Sequence, residues 1–198
     1  MDYFLELFLG GLTRGSIYAL IALGYTMVYG IIELINFAHG EIYMIGAFTA
    51  LIVASALSLM GMSGWSLLIL AGLVAVIYSS AYGYTIEKIA YKPLRKAQRL
   101  SPLISAIGMS IFLQNYVLLA QTSDFLSFPA LIEEFSFMEP ISHIMRSSEL
   151  VIILTTVIST ALLTLFIKFS RTGKAMRATA QDKTMAMLLG VNVNRVIS

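Results

Sequence analysis

The 198-residue sequence has no cysteine, two histidines, one tryptophan and four prolines, and only 12% of its residues are charged. Without cysteine there are no disulfides, thiolate metal sites or iron–sulfur clusters. The histidines, His39 and His143, stand far apart and neither belongs to an HExxH-like run, so no metal site and no catalytic metal is expected. No GxxxxGK[ST] loop is present, so the chain is not expected to bind nucleotide through one, and no cofactor is implied. The shortage of charge is the most informative. Soluble domains are about 25% charged, and half that amount cannot cover a water-exposed surface of this size. A hydrophobic fraction of 58% and a mean hydropathy of +0.84 point to a membrane protein. The net charge of +2 gives no reason to expect a nucleic-acid partner.

What is present is long uncharged runs. The 45 residues from Ile42 to Ile86 contain no Asp, Glu, Lys or Arg. A helix crosses a hydrocarbon core of about 30 Å with roughly 20 apolar residues, whereas a barrel strand gives short alternating segments. An all-α polytopic fold with about five transmembrane helices is therefore predicted: Gly15–Ile32, Ile42–Met60, Ser66–Ile86, Pro102–Ala120 and Leu150–Ile167. Gly61-Met62-Ser63-Gly64 separates the second span from the third, with Trp65 as an interfacial anchor. The whole, 1–198, is expected to be one transmembrane domain: an interfacial N-terminus over 1–14, a helical bundle over 15–167 and a cytoplasmic segment over 168–198. Five basic residues, Lys88, Lys92, Arg95, Lys96 and Arg99, lie between Glu87 and Ser101, and six more lie from Lys168 onward. The stretch 121–149 is acidic. The positive-inside rule places the two basic segments in the cytoplasm, and the acidic one and the N-terminus outside. No Lys or Arg precedes Arg14, which argues against a cleavable leader. The external stretch is rich in apolar residues (Phe125, Leu126, Phe128, Leu131, Ile132, Phe135, Phe137, Met138) and is expected to hold a re-entrant or surface helix. Ser147 or Ser148 is a candidate cap for the last span.

Between the first two spans runs Glu33-Leu34-Ile35-Asn36-Phe37-Ala38-His39-Gly40-Glu41. Two carboxylates, an amide and an imidazole are expensive next to lipid and should face protein or water. A broken helix lining a cavity is a common way to place substrate groups in a transporter. The plainer alternative is a polar turn at the membrane surface, with Glu41 serving the first turn of the next helix. His39 and Glu41 are two apart and point to nearly opposite helix faces, which disfavours a catalytic pair. Gln114 and Asn115, in mid-span, read more readily as helix-packing groups than as substrate contacts.

The C-terminal stretch from Lys174 to Leu189 reads as an amphipathic helix that Gly173 opens and Gly190 ends. Ala175, Ala178, Met185, Ala186 and Leu189 form an apolar stripe among Lys174, Arg177 and Lys183. Such a face suits a groove on a partner protein, or anionic membrane lipid.

Two stretches together resemble a known family. GSIYALIALGYTMVYGIIELINFAHGEIYMIGAF (Gly15–Phe48) looks like the N-terminal signature of branched-chain amino acid ABC transporter permeases. RTGKAMRATAQDKTMAMLLGVNVNRVIS (Arg171–Ser198) is similar to their ATPase-facing loop, with Ala178-Thr179-Ala180 and Gly190 departing from the E-A-A-x3-G pattern of other importers. The resemblance implies an H-type subunit of the high-affinity leucine/isoleucine/valine importer in the bacterial inner membrane. Its implied partners are a second, M-type permease subunit, two cytoplasmic ATPase subunits and a periplasmic substrate-binding protein. It also implies that Asn36, Phe37, His39, Gly40 and Glu41 lie at the translocation pathway. Arg177, Ala178, Asp182, Ala186 and Gly190 would lie in the ATPase-coupling helix. Permeases of this kind continue with further spans, so the chain is expected to represent the first two-thirds of one. A urea or short-chain amide permease shares the NFAHGE run and is the alternative substrate reading. A membrane-embedded enzyme using His39 and Glu41, and a structural remnant that transports nothing, are the alternatives of other classes.

Overall fold

The computed structural model describes the chain except Met1, Leu34, Lys96, Gln98, Arg99, Ser123, Phe125, Ala130, Glu133 and residues 136–144. Its described residues fold into helices and connections without strands. Five helices are long and apolar enough to cross a membrane, and only 6–17% of each one's apolar window is buried. Outward-facing Ile69, Leu73, Ile77, Ile104, Ile111, Val157 and Leu162 are all more than half exposed. Apolar side chains turned outward over this much surface need lipid or other apolar partners around them, which fits a polytopic membrane protein.

The chain divides into two compact units. The first comprises Met1–Glu33 and Ile132–Ser198. Its first helix, α1 (Asp2–Ile32), is one uninterrupted element of 31 residues. The expected interfacial N-terminus over 1–14 is therefore not separate: its helix continues into the first span. No proline interrupts it, and the Thr13 and Ser16 hydroxyls donate back to the Leu9 and Leu12 carbonyls within the same ladder. α1 packs against α5 (Ser147–Phe169), which is followed by three short helices, α6 (Arg171–Gln181), α7 (Lys183–Leu188) and α8 (Val193–Ile197).

Neither Ser147 nor Ser148 caps α5. Arg146 holds the N-cap position, and its backbone N–H donates to the Glu149 carboxylate, 3.2 Å. Fully buried Ser147 donates instead to Glu134, 2.7 Å, and accepts from the Phe135 N–H, 2.9 Å. Glu134 also accepts from the Ser147 N–H, so a carboxylate thirteen residues upstream supplies the cap. Among the described residues of 121–146 no helix is present; Phe125, Phe137 and Met138 of the expected surface helix lie outside them.

The second unit spans Leu34–Leu131. In it α2 (His39–Leu59) and α3 (Gly64–Ile86) form an antiparallel pair. Gly61 and Gly64 turn the chain with φ of +83° and +65°, in the left-handed region where glycine has no steric penalty. A Cβ on Gly46 would sit 3.5 Å from Ser79 Cβ, so the helices approach closely there. Ala54, Leu67 and Ala71 are buried in the same seam. Beyond Ile86 the expected loop is helical: the chain widens to π geometry over Glu87–Tyr91 and tightens to a 3-10 turn over Lys92–Leu94. Glu87 is buried there and paired with Arg95. α4 (Leu100–Ala120) packs on this extension and on α2 around a core of Ala38, Ile45, Ile86, Leu113 and Val117.

Candidate functional site

The polar stretch is a true interruption between helices. Glu33 closes α1, its N–H donating to the Tyr29 carbonyl at 2.8 Å, with φ of +62°. That left-handed conformation costs a non-glycine residue roughly 1–2 kcal/mol. Its carboxylate lies 3.5 Å from Lys183 Nζ at the start of α7. With 68% of the glutamate side chain exposed, such a pair returns about 0–1 kcal/mol and does not offset the strain.

In the second unit, the Asn36 side-chain oxygen accepts from the Ala38 N–H, 3.1 Å, forming a turn that leads into α2. The same oxygen accepts from the Tyr91 hydroxyl, 2.8 Å. His39, half-buried, is the first residue of α2, and its backbone N–H donates to the Asn36 carbonyl. Phe37 is exposed, and a Cβ on Gly40 would meet nothing within 4 Å. Glu41 turns toward α4, where its Oε1 accepts from Ser110 Oγ, 3.0 Å, and from Gln114 Nε2, 2.8 Å. Hydrogen bonds to a charged acceptor contribute about 1.5–3 kcal/mol each. Ser110 and Gln114 lie ten and fourteen residues beyond Leu100, in the middle of the 21-residue α4. The start of α2 therefore lies alongside mid-α4, roughly 15 Å or more from that helix's first residue. One turn further along α2 opens a groove of about 230 Å³, lined by Phe48, Thr49, Tyr78, Tyr82, Tyr116 and Gln121 among others.

Of the five residues expected at the pathway, Asn36 and Glu41 are thus held by partners from other elements, while Phe37 is exposed and Gly40 has open space beside it. Sequence reasoning missed Tyr91 and Ser110. It singled out Gln114 as a packing group, and Gln114 does bond between helices. Among the described residues, Asn115 bonds back to the Ile111 carbonyl of its own helix.

The C-terminal segment differs from the single helix expected over Lys174–Leu189. Asp182 is extended (φ −156°, ψ 111°) and divides α6 from α7. Its carboxylate accepts from the Thr184 and Met185 N–H groups, 2.7 and 3.0 Å, capping α7. A good N-cap residue inside a run of helix formers won over continuation. Ser170 caps α6 through the Gly173 N–H, 2.8 Å. A Cβ on Gly173 would lie 2.2 Å from the Ile167 carbonyl oxygen, so only glycine lets α6 fold back on the end of α5. Arg177 donates to the Ile167 and Lys168 carbonyls, satisfying the open end of α5. Ala178 is half-buried, Ala186 is buried, and Gly190 ends α7 with φ of +83°. The five expected coupling residues therefore shape the segment. The expected apolar stripe divides: Ala175, Ala178 and Ala186 turn inward, while Met185 and Leu189 join Met187 and Leu188 in an exposed patch.

Residues 7–198 match the family described as the permease component of the branched-chain amino acid transport system. The chain belongs to this permease family. It is 50% identical over 201 residues to the high-affinity branched-chain amino acid transport system permease protein LivH of Escherichia coli K12. LivH of Salmonella typhimurium and the corresponding protein BraD of Pseudomonas aeruginosa are each 50% identical over 200 residues. Each of these alignments covers 99% of this chain and 65% of the relative, so this permease-family chain spans about two-thirds of their length. No solved structure gives a significant match.

Proposed function

We propose that this chain is a permease subunit of an ABC importer that carries branched-chain amino acids across the bacterial inner membrane. Residues 1–198 act as a single transmembrane permease domain, with the N-terminus periplasmic and the chain from residue 168 onward cytoplasmic. The observation that carries the reading is Glu41. It is a carboxylate anchored through one oxygen to mid-α4, where lipid would not tolerate it unless it faced a polar path. Asn36 to Glu41 line that path in this reading, and Asn36 and Glu41 hold its shape. The aliphatic and aromatic groove beyond Glu41 suits a small amino acid with a branched side chain.

The chain performs no chemistry of its own here. Two cytoplasmic ATPases supply the energy, a periplasmic binding protein delivers substrate, and a second, M-type permease completes the pore. The exposed patch of Met185, Met187, Leu188 and Leu189 is the ATPase-facing surface. Arg177, Ala178, Asp182, Ala186 and Gly190 keep that surface in place. Movement of the segment then shifts the pore between outward-open and inward-open states. The relatives' names as branched-chain amino acid permeases support this substrate class over urea or short-chain amides.

The test is labelled leucine uptake in cells lacking their own branched-chain amino acid import, with this chain produced alongside the other importer components. Uptake is expected, unaffected by excess urea, and Glu41→Ala is expected to lower it about tenfold at unchanged membrane level. Uptake of urea instead, or a Glu41→Ala variant that transports like the parent, would overturn the reading.

A further inference from the structure

We infer that the groove between α2, α3 and α4 is a substrate subsite in which Tyr82 and Tyr116 bind the charged ends of the amino acid while α2 receives its side chain. The inference rests on the importer reading above and names the groups that recognise the cargo.

Polar and apolar groups are segregated around this groove, which lies within the second unit. α2 gives it Ile45, Phe48, Ile52 and Val53. Thr49 lies in the same wall, but its hydroxyl donates to the Ile45 carbonyl of its own helix, 2.7 Å. The polar side is Tyr78 and Tyr82 from α3, Tyr116 from α4, and Gln121 just past the end of α4. The rings of Tyr78 and Tyr82 are 5.1 Å apart, and side-chain hydrogen bonds link Tyr82 to both Tyr78 and Tyr116. Two links among three hydroxyls use two of their three O–H donors, so among the described residues one donor is left for the groove. Gln121 adds an amide that both donates and accepts.

Depth sharpens the argument. α3 and its extension make a run of 31 residues, Gly64–Leu94, and Tyr78 and Tyr82 stand near its middle. Transmembrane tyrosines concentrate at the two interfaces instead. A hydroxyl donor at mid-depth costs free energy until something polar pairs with it. A branched aliphatic amino acid meets both sides: its carboxylate accepts from a tyrosine hydroxyl, its ammonium donates to hydroxyl or amide oxygen, and its side chain packs on Ile45, Ile52 and Val53. Among the described residues no Asp, Glu, Lys or Arg lines the groove, so an acidic or basic cargo would find no counter-charge there. Its volume of about 230 Å³ is below the range of about 300–1,000 Å³ that holds drug-sized ligands, and suits a single amino acid. Ile45 follows Glu41 by one turn of α2, so the groove continues from the anchored carboxylate.

The experiment uses the assembled importer in membrane vesicles, with photo-leucine, a diazirine analogue of leucine, as probe and labelled leucine uptake read beside it. Adducts are expected on residues 45–53, 78–82 or 116–121, suppressed by excess leucine and not by excess aspartate. Tyr82→Phe keeps the ring and removes the hydroxyl; it is expected to lower uptake and groove labelling together, each about tenfold, at unchanged membrane level. Tyr116→Phe is expected to do the same and serves where Tyr82→Phe lowers the membrane level. Tyr84→Phe, on the same helix but outside the groove lining, should leave both unchanged. Lost uptake with undiminished labelling would make the tyrosines a brace between helices and overturn the inference. So would normal uptake with adducts only elsewhere, or with none on this chain. An unmutated importer without leucine uptake would instead overturn the permease reading itself, and this subsite with it.

Discussion

In the helix break, Asn36 and Glu41 are held by side chains 55, 69 and 73 positions away in sequence: Tyr91, Ser110 and Gln114. In the C-terminal segment, Ser170, Asp182 and Asn192 each cap a helix whose N–H groups are two or three residues away. Both regions are polar stretches beside apolar helices, yet one borrows its shape and the other carries its own. A borrowed shape changes whenever α4 or Tyr91 moves, as the pathway proposed above would require. A self-capped segment keeps its form while it is displaced, as the ATPase-facing segment proposed above would require.

The largest expected effect comes from a place where the segment is not self-contained, its seat on α5. Gly173→Ala would put a methyl group 2.2 Å from a backbone oxygen that cannot move aside, and should destabilise the protein by about 3 kcal/mol. Gly40→Ala, with open space around it, is the control. Thermal unfolding in detergent should show a lowered transition for the first and none for the second; equal transitions would mean that α6 does not fold back on α5 this closely.

A smaller effect should separate the two regions. Gln114→Leu removes one of the two donors to Glu41, at about 2 kcal/mol. Amide hydrogen exchange over residues 36–42 should quicken while residues 171–189 keep their rates. Faster exchange in both would show that the segment does not hold its own shape. The mildest change is Asp182→Ala, which removes a cap worth about 1 kcal/mol. Exchange should quicken across 183–188 alone, and an altered break would contradict the contrast.

The same difference in range decides what could be read from the sequence. The long uncharged runs locate the five spans, and four of the structure's helices begin and end within three residues of the expected limits. The errors lie where a distant or non-charged term overrides a local signal. Glu87 reads as the start of a loop until Arg95 is found beside it. Residues 1–14 read as an interfacial stretch apart from the first span, although no residue there breaks the ladder. The elbow at Asp182 did have a local signal: aspartate followed by Lys-Thr-Met is a good N-cap pattern, and the apolar stripe on either side obscured it. Ser110 had no such signal. A serine in mid-helix, 69 residues from the carboxylate it serves, looks like any small packing residue.

The joint between α5 and α6 also has a gearing. Ser170 caps one helix, Arg177 closes the end of the other, and the missing side chain of Gly173 lets them touch, so the corner is tied at three points. Its arms are unequal: 23 residues in α5 and 11 in α6, or about 34 Å and 16 Å at 1.5 Å per residue. Pivoting at the corner, a shift of about 2 Å at the free end of the short arm swings the far end of the long arm by about 4 Å. A modest stroke at one face of the membrane would thus arrive at the other face doubled.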